Sequence, residues 1–145
     1  MNNIKIIEVN WSHQHENLSL LRREVFIDEQ QVPEHLEWDD ADWQCHHILA
    51  QDISQQTSAI PVGTARLTRE GQIGRMAVRK NYRRQGIGHE MLNYLLRLAM
   101  SNGYSHVYLH AQLYVTEFYK QAGFSAIGES FMDAGIEHIK MVRDL

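Results

Sequence analysis

Ile73-Gly-Arg-Met-Ala-Val-Arg-Lys-Asn-Tyr-Arg-Arg-Gln-Gly-Ile-Gly88 reads as a strand, a basic loop and the start of a helix. Beyond it, Ile87, Met91, Leu95, Leu98 and Ala99 recur on one helical face, and Leu92 and Leu96 widen that face. Gly86 and Gly88 carry no Cβ, so a ligand can approach the backbone closely. The first N–H groups of the helix have no intrahelical acceptor and point into the loop. With the helix dipole they make an anion site, to which Arg83 and Arg84 add full charges and forked donors for phosphate oxygens. A pyrophosphate suits such a loop. Two other phosphate loops are excluded. The pattern GxxxxGK(S/T) is absent, and Met91 stands where a dinucleotide fingerprint needs its third glycine.

Charge singles out the same place. The chain has 145 residues, with 14 basic and 18 acidic side chains and a net charge of −4. Arg75, Arg79, Lys80, Arg83 and Arg84 fall together with no acid among them, and taking those five charges away leaves −9 on the rest. An acidic chain with one basic spot lacks the broad basic face of a general nucleic-acid binder. It suits a single anionic ligand. Hydrophobic residues at 43% and charged residues at 22% are globular values and exclude disorder. The length suits one domain over residues 1–145. No apolar run approaches the roughly 18 residues of a membrane span, and Met1–Asn10 has no signal-peptide pattern. One cysteine makes neither a disulfide framework nor a CxxC zinc site, so a reduced, cytoplasmic setting is expected.

Along the chain, Ile4–Val9 suits a strand, and Leu18, Leu21, Val25 and Val32 suit a helix capped by Asn17 and ended by Pro33. Glu34–Gln44 reads as an acidic loop holding Trp38 and Trp43, and residues 54–58 as a polar turn. His47–Gln51, Val62–Leu67, Ile73–Val78 and Val107–Ala111 read as strands. Val115–Ala122 is a short helix stopped by Gly123, and Phe124–Phe131 and Glu137–Val142 pair around Gly135. The expected fold class is mixed α/β, with a mostly antiparallel central sheet and helices on both faces.

Three side chains compete for proton transfer. Glu29 lies four residues after Val25 and eight after Leu21, so it projects beside the apolar stripe. Partial desolvation there would raise its pKa and suit a base. His110, at the end of a strand, is a second candidate, and His138 is similar. A water chain would also serve. Asp39, Asp40, Asp42, Cys45, His46 and His47 crowd together, but no metal is expected. A calcium loop from Asp40 would put Cys45 where glycine is required and Gln51 where glutamate is. Adjacent strand histidines point to opposite faces and make a poor zinc pair. The alternative is a polar loop over an acceptor site, with acids drawing a cationic amine and Trp38 or Trp43 lining the pocket.

Arg83-x-x-Gly86-x-Gly88 resembles the (Q/R)-x-x-G-x-(G/A) coenzyme A loop of the GCN5-related N-acetyltransferases. Phe118-Tyr-Lys-Gln-Ala-Gly-Phe124 is similar to that family's late motif. Arg23-Glu-Val-Phe-Ile-Asp-Glu-Gln30, then Val32-Pro33, Asp39, Asp42 and Gly135-Ile-Glu-His-Ile-Lys-Met141, resemble its ElaA/YjcF-like bacterial subgroup. Together these segments cover residues 18–142. The resemblance implies acetyl transfer from acetyl-CoA to an amine of a small molecule or peptide by direct attack. A coenzyme A-binding regulatory module without turnover is the alternative, and a homodimer is compatible with either. It implies that Met76, Ala77 and Val78 bind the pantetheine arm, that Arg83, Arg84, Gln85, Gly86, Ile87 and Gly88 cradle the pyrophosphate, and that Tyr119 sits by the thioester sulfur. Many members have Asn where this chain has Gln112, a cofactor-arm contact. Glu29, Gln30 and His110 are expected on the acceptor side.

Overall fold

A computed structural model describes residues 3–55 and 57–145. Gln56, inside the expected polar turn, lies outside them. The first strand, β1 (Ile4–Val9), leads into helix α1 (Trp11–Arg22), which widens directly into a π-helical segment, Arg23–Glu29. The cap of α1 is Asn10, whose Oδ1 accepts from the Ser12 N–H at 2.8 Å. Asn17, the expected cap, lies inside the helix and donates to Gln14 Oε1. The first two turns of α1 are polar and show no apolar period, which hides their helicity in the sequence. Pro33 opens a new single-turn helix, α2 (Glu34–Glu37), inside what reads as loop.

Four strands then form an antiparallel sheet in the order β1-β2-β3-β4, with β2 His46–Asp52, β3 Ile60–Leu67 and β4 Ile73–Val78. After helix α3 (Ile87–Ser101) come β5 (His106–Gln112), helix α4 (Thr116–Gln121), β6 (Ser125–Asp133) and β7 (Ile136–Asp144). The last three strands make a second antiparallel sheet, β5-β7-β6. One parallel bridge, Gln72 to Tyr108, links the sheets, with the Tyr108 N–H on the Gly71 carbonyl at 2.9 Å. Beyond that bridge β4 and β5 part. Between the pairs Thr64–Ala77 and Arg66–Gly74, β4 carries one more residue than β3, and this bulge, with Arg75 at φ +50, bends β4 where it leaves β5. The expected central sheet is thus antiparallel within each half and split between them.

Helices cover both faces. Strand alternation sends Ile48 and Ala50 of β2 into the α3 core, with Met91, Leu92 and Leu95, and sends Leu49 to the opposite face, under Leu18 and Leu21 of α1. Gly63 leaves room for Met91 of α3 against the sheet: a Cβ there would meet Met91 Sδ and the Ala77 carbonyl oxygen, each at 3.1 Å.

Candidate active site

The split between the sheets opens as a cleft of about 700 Å³. At its floor, β4 ends at Val78, a tight turn runs over Lys80–Tyr82, and α3 begins after Gly86. Arg84 and Gly86 take left-handed backbone, φ +63 and +83, which turns the chain into the helix. No side chain caps α3. Its first helical acceptor is the Gly86 carbonyl, taken by the Glu90 N–H at 3.0 Å, so the Ile87, Gly88 and His89 amides have no backbone partner among the described residues. A Cβ built on Gly86 meets nothing within 4 Å. The cradle read from Gly86 and Gly88 is therefore open, and its donors fit a diphosphate.

The charges around it differ from expectation. Three of the five clustered bases are neutralised by acids from elsewhere in the chain. Arg75 pairs with Glu37 and Asp39, Arg79 with Glu24 at 3.0 Å, and Arg83 grips both oxygens of Glu29 at 2.5 and 2.7 Å. Lys80 and Arg84 have no ion-pair partner among the described residues. Glu29 is corrected as a base: Arg83 hydrogen-bonds its carboxylate and holds its pKa below the usual range, against the rise that burial alone would give. Its side chain does not line the cleft. The clue in the sequence is that Glu24 and Glu29 are five apart, one turn of a π-helix, opposite Arg79 and Arg83 four apart on the loop.

Above the cradle, Met76 and Val78 line the cleft, and Ala77, between them, is buried in the opposite direction. Arg83 Nε donates to the Val78 carbonyl at 2.9 Å, so that carbonyl faces away from β3, and the Val78 N–H faces the same way. Tyr119 lies on α4 between Phe118 and Phe124, both edge-on to it. Burial pushes its phenol up to about 12. Gln112 lines the cleft and donates to Gln30 Oε1 at 3.4 Å, tying β5 to the π-helical segment. Ile87, Gly88, Arg83, Arg84, Gln30 and His110 also line it. Gln85 does not; its amide donates to the Asn81 carbonyl.

The acidic stretch has another role than the one expected. Arg22, 1% exposed, donates to Glu37 at 2.8 Å and Asp42 at 2.7 Å under the ring of Trp38. Arg66 donates to Asp42 and to both oxygens of Asp39. These acids anchor α2 to the sheet and leave no bare carboxylate cluster for an amine. Neither Trp38 nor Trp43 lines the cleft. The cleft is walled instead by Phe26, Val32 and Leu36, and by Asp133 and His138 from the last hairpin. The apolar wall was invisible in the sequence because Phe26, Val32 and Leu36 come from three separate turns.

Residues 14–145 match the family model described as an acetyltransferase (GNAT) domain. YjcF of Bacillus subtilis strain 168, which bears the name N-acetyltransferase, is 34% identical over 128 residues, covering 86% of this chain and 88% of YjcF. Escherichia coli ElaA superposes with a TM-score of 0.84 at 26% identity, over 98% of this chain and 100% of ElaA. An acyl-CoA N-acyltransferase from Pseudomonas aeruginosa superposes with a TM-score of 0.79 at 28% identity, over 99% of both chains.

Proposed function

The chain belongs to the GNAT acetyltransferase family and is an acyl-CoA-dependent N-acetyltransferase, and we propose that it moves an acetyl group from acetyl-CoA to a primary amine by direct attack, with both substrates bound at once. One observation carries this reading. A single cleft is bounded by the bare amides at the start of α3, by the free edge of β4 at Met76 and Val78, and by Tyr119.

In this reading the Gly88 and His89 amides and Arg84 hold the diphosphate, at the positive end of α3. The free edge of β4 hydrogen-bonds the pantetheine amides as an added strand would. The Val78 N–H faces the developing oxyanion and donates to it. Tyr119 stays protonated across the physiological range, so its hydroxyl donates to the sulfur as thiolate character builds. Phe26, Val32 and Leu36 receive the body of the acceptor. Asp133, a cleft-lining carboxylate without an ion-pair partner among the described residues, draws its positive charge.

Acetyl-CoA calorimetry beside thiol detection over a panel of amines tests the proposal. Heat on titration and amine-dependent thiol release are expected. Heat without thiol release for any amine would leave only the binding module, and absence of heat would remove the proposal altogether.

A further inference from the structure

An acceptor arriving as an ammonium must lose a proton before its nitrogen can attack. Of the carboxylates around the cleft, Glu29 is held by Arg83 and Glu37 by Arg22 and Arg75, while Asp133 keeps its charge to draw the ammonium. Building on the transferase reading above, we infer that His138 takes this proton, on Nε2. His138 lines the cleft at 9% exposure. Its Nδ1 is 2.7 Å from the Ile136 carbonyl oxygen. A carbonyl only accepts, so Nδ1 carries hydrogen and donates. In the neutral ring the lone pair then sits on Nε2, which bonds to no side chain among the described residues. Phe131 stacks on the ring at 6.0 Å and 22° and sets its plane.

Position agrees with this role. His138 stands opposite Gln112 in the pairing of β5 with β7, and Gln112 reaches across to Gln30. The imidazole therefore lies on the sheet face turned toward the segment that carries Gln30, where the apolar wall is. His110 shares that face, but among the described residues no hydrogen bond fixes either nitrogen; it meets Phe131 edge-on at 5.0 Å and Tyr108 at 6.1 Å. The titratable and charged groups around His138 are His110 on β5, Asp133 on β6, Lys140 on β7 and the Glu37–Arg75 pair across the cleft.

The step balances as follows. The ammonium gives one proton to Nε2, and the freed nitrogen bonds to the carbonyl carbon as the C–S bond breaks. The nitrogen's second proton replaces, through water, the one Tyr119 hands to the thiolate. The imidazolium returns its proton to solvent, so the products are amide, thiol and one proton.

The test measures thiol release from acetyl-CoA near neutral pH with n-butylamine, an ammonium there, and with hydroxylamine, which is already neutral. For His138→Gln the expected result is a loss of about 100-fold with n-butylamine. Hydroxylamine transfer and acetyl-CoA heat should stay within about twofold of the parent. Equal losses with both nucleophiles, or no loss with n-butylamine, overturn the assignment. A nitrogen-15 correlation spectrum of the parent imidazole adds a readout that needs no acceptor: a bare Nε2 supports the assignment, and a protonated Nε2 with bare Nδ1 overturns it. Absence of acetyl-CoA heat in the parent protein is a separate failure, that of the transferase reading itself.

Discussion

A phenol pushed up to about 12 is a weaker acid than a thiol, whose ordinary value is about 8.5. In the proposed mechanism Tyr119 therefore does not drive the leaving group out by handing over its proton early; its part is to donate a hydrogen bond to the sulfur and complete the transfer late. Tyr119→Phe keeps the packing against Phe118 and Phe124 and removes only the hydroxyl. Turnover should fall by about 10- to 100-fold with acetyl-CoA affinity nearly unchanged, and a steady-state assay beside calorimetry checks both. Unchanged turnover would refute the role. Asp39 shows the converse effect of environment. Hydrogen bonds from Arg66 hold its carboxyl at about 2, below the roughly 3.9 of an unfolded chain. A group depressed on folding stabilises the protein fully above the unfolded value and loses that contribution as pH falls through the folded one. The side chain is 42% exposed, so screening trims the contribution to about 1 kcal/mol. In urea titrations Asp39→Asn should cost about that much at pH 6, with the difference shrinking between pH 4 and 2. A difference independent of pH would contradict this.

The turn into α3 separates what the fold needs from what the ligand needs. Gly86 sits at φ +83, where a Cβ is strained whatever the space around it. Gly86→Ala should lower stability by about 1 kcal/mol, read as a drop in Tm. At Gly88 a Cβ would lie 3.7 Å from Phe118 Cζ, an ordinary contact. Gly88→Ala should leave Tm unchanged and weaken acetyl-CoA binding by about tenfold or more. Equal affinity for parent and variant would show that the diphosphate does not approach this amide. Facing the turn, Glu24 and Glu29 of the π-helical segment tie it down through Arg79 and Arg83. The segment thus restrains the loop that the sequence shows as free and basic.

Across the whole molecule, the two faces of the first sheet are built from different materials. The α3 face is a continuous apolar core. The α1 face has a small apolar cluster beside a buried set of arginines and carboxylates centred on Arg22. Removing Arg22 takes from Glu37 and Asp42, 3% and 6% exposed, the cation they share and leaves each with one, Arg75 and Arg66. Arg22→Met should cost about 3–5 kcal/mol in urea unfolding. Arg23→Met, at the exposed pair with Glu34, should leave the urea midpoint nearly unchanged. Similar costs for both would mean that the buried set contributes no more than a surface pair.

The strand, loop and helix of residues 73–88 could be read directly because the cradle is made by residues adjacent in sequence: backbone period, glycine positions and cap chemistry are local properties. The short helix that carries Tyr119 and the hairpin turn at Gly135 were legible for the same reason. Glu29 was misjudged because its desolvation was visible and its partner, 54 residues away, was not. The split between β4 and β5, the fate of the acids between Glu34 and Gln44, and the apolar wall of the cleft likewise depend on which distant groups meet. Local order sets conformation through short-range sterics and hydrogen bonding. Ion pairing and cleft shape arise only when packing brings separate elements to within a few ångströms, and that distance is a property of the folded chain alone.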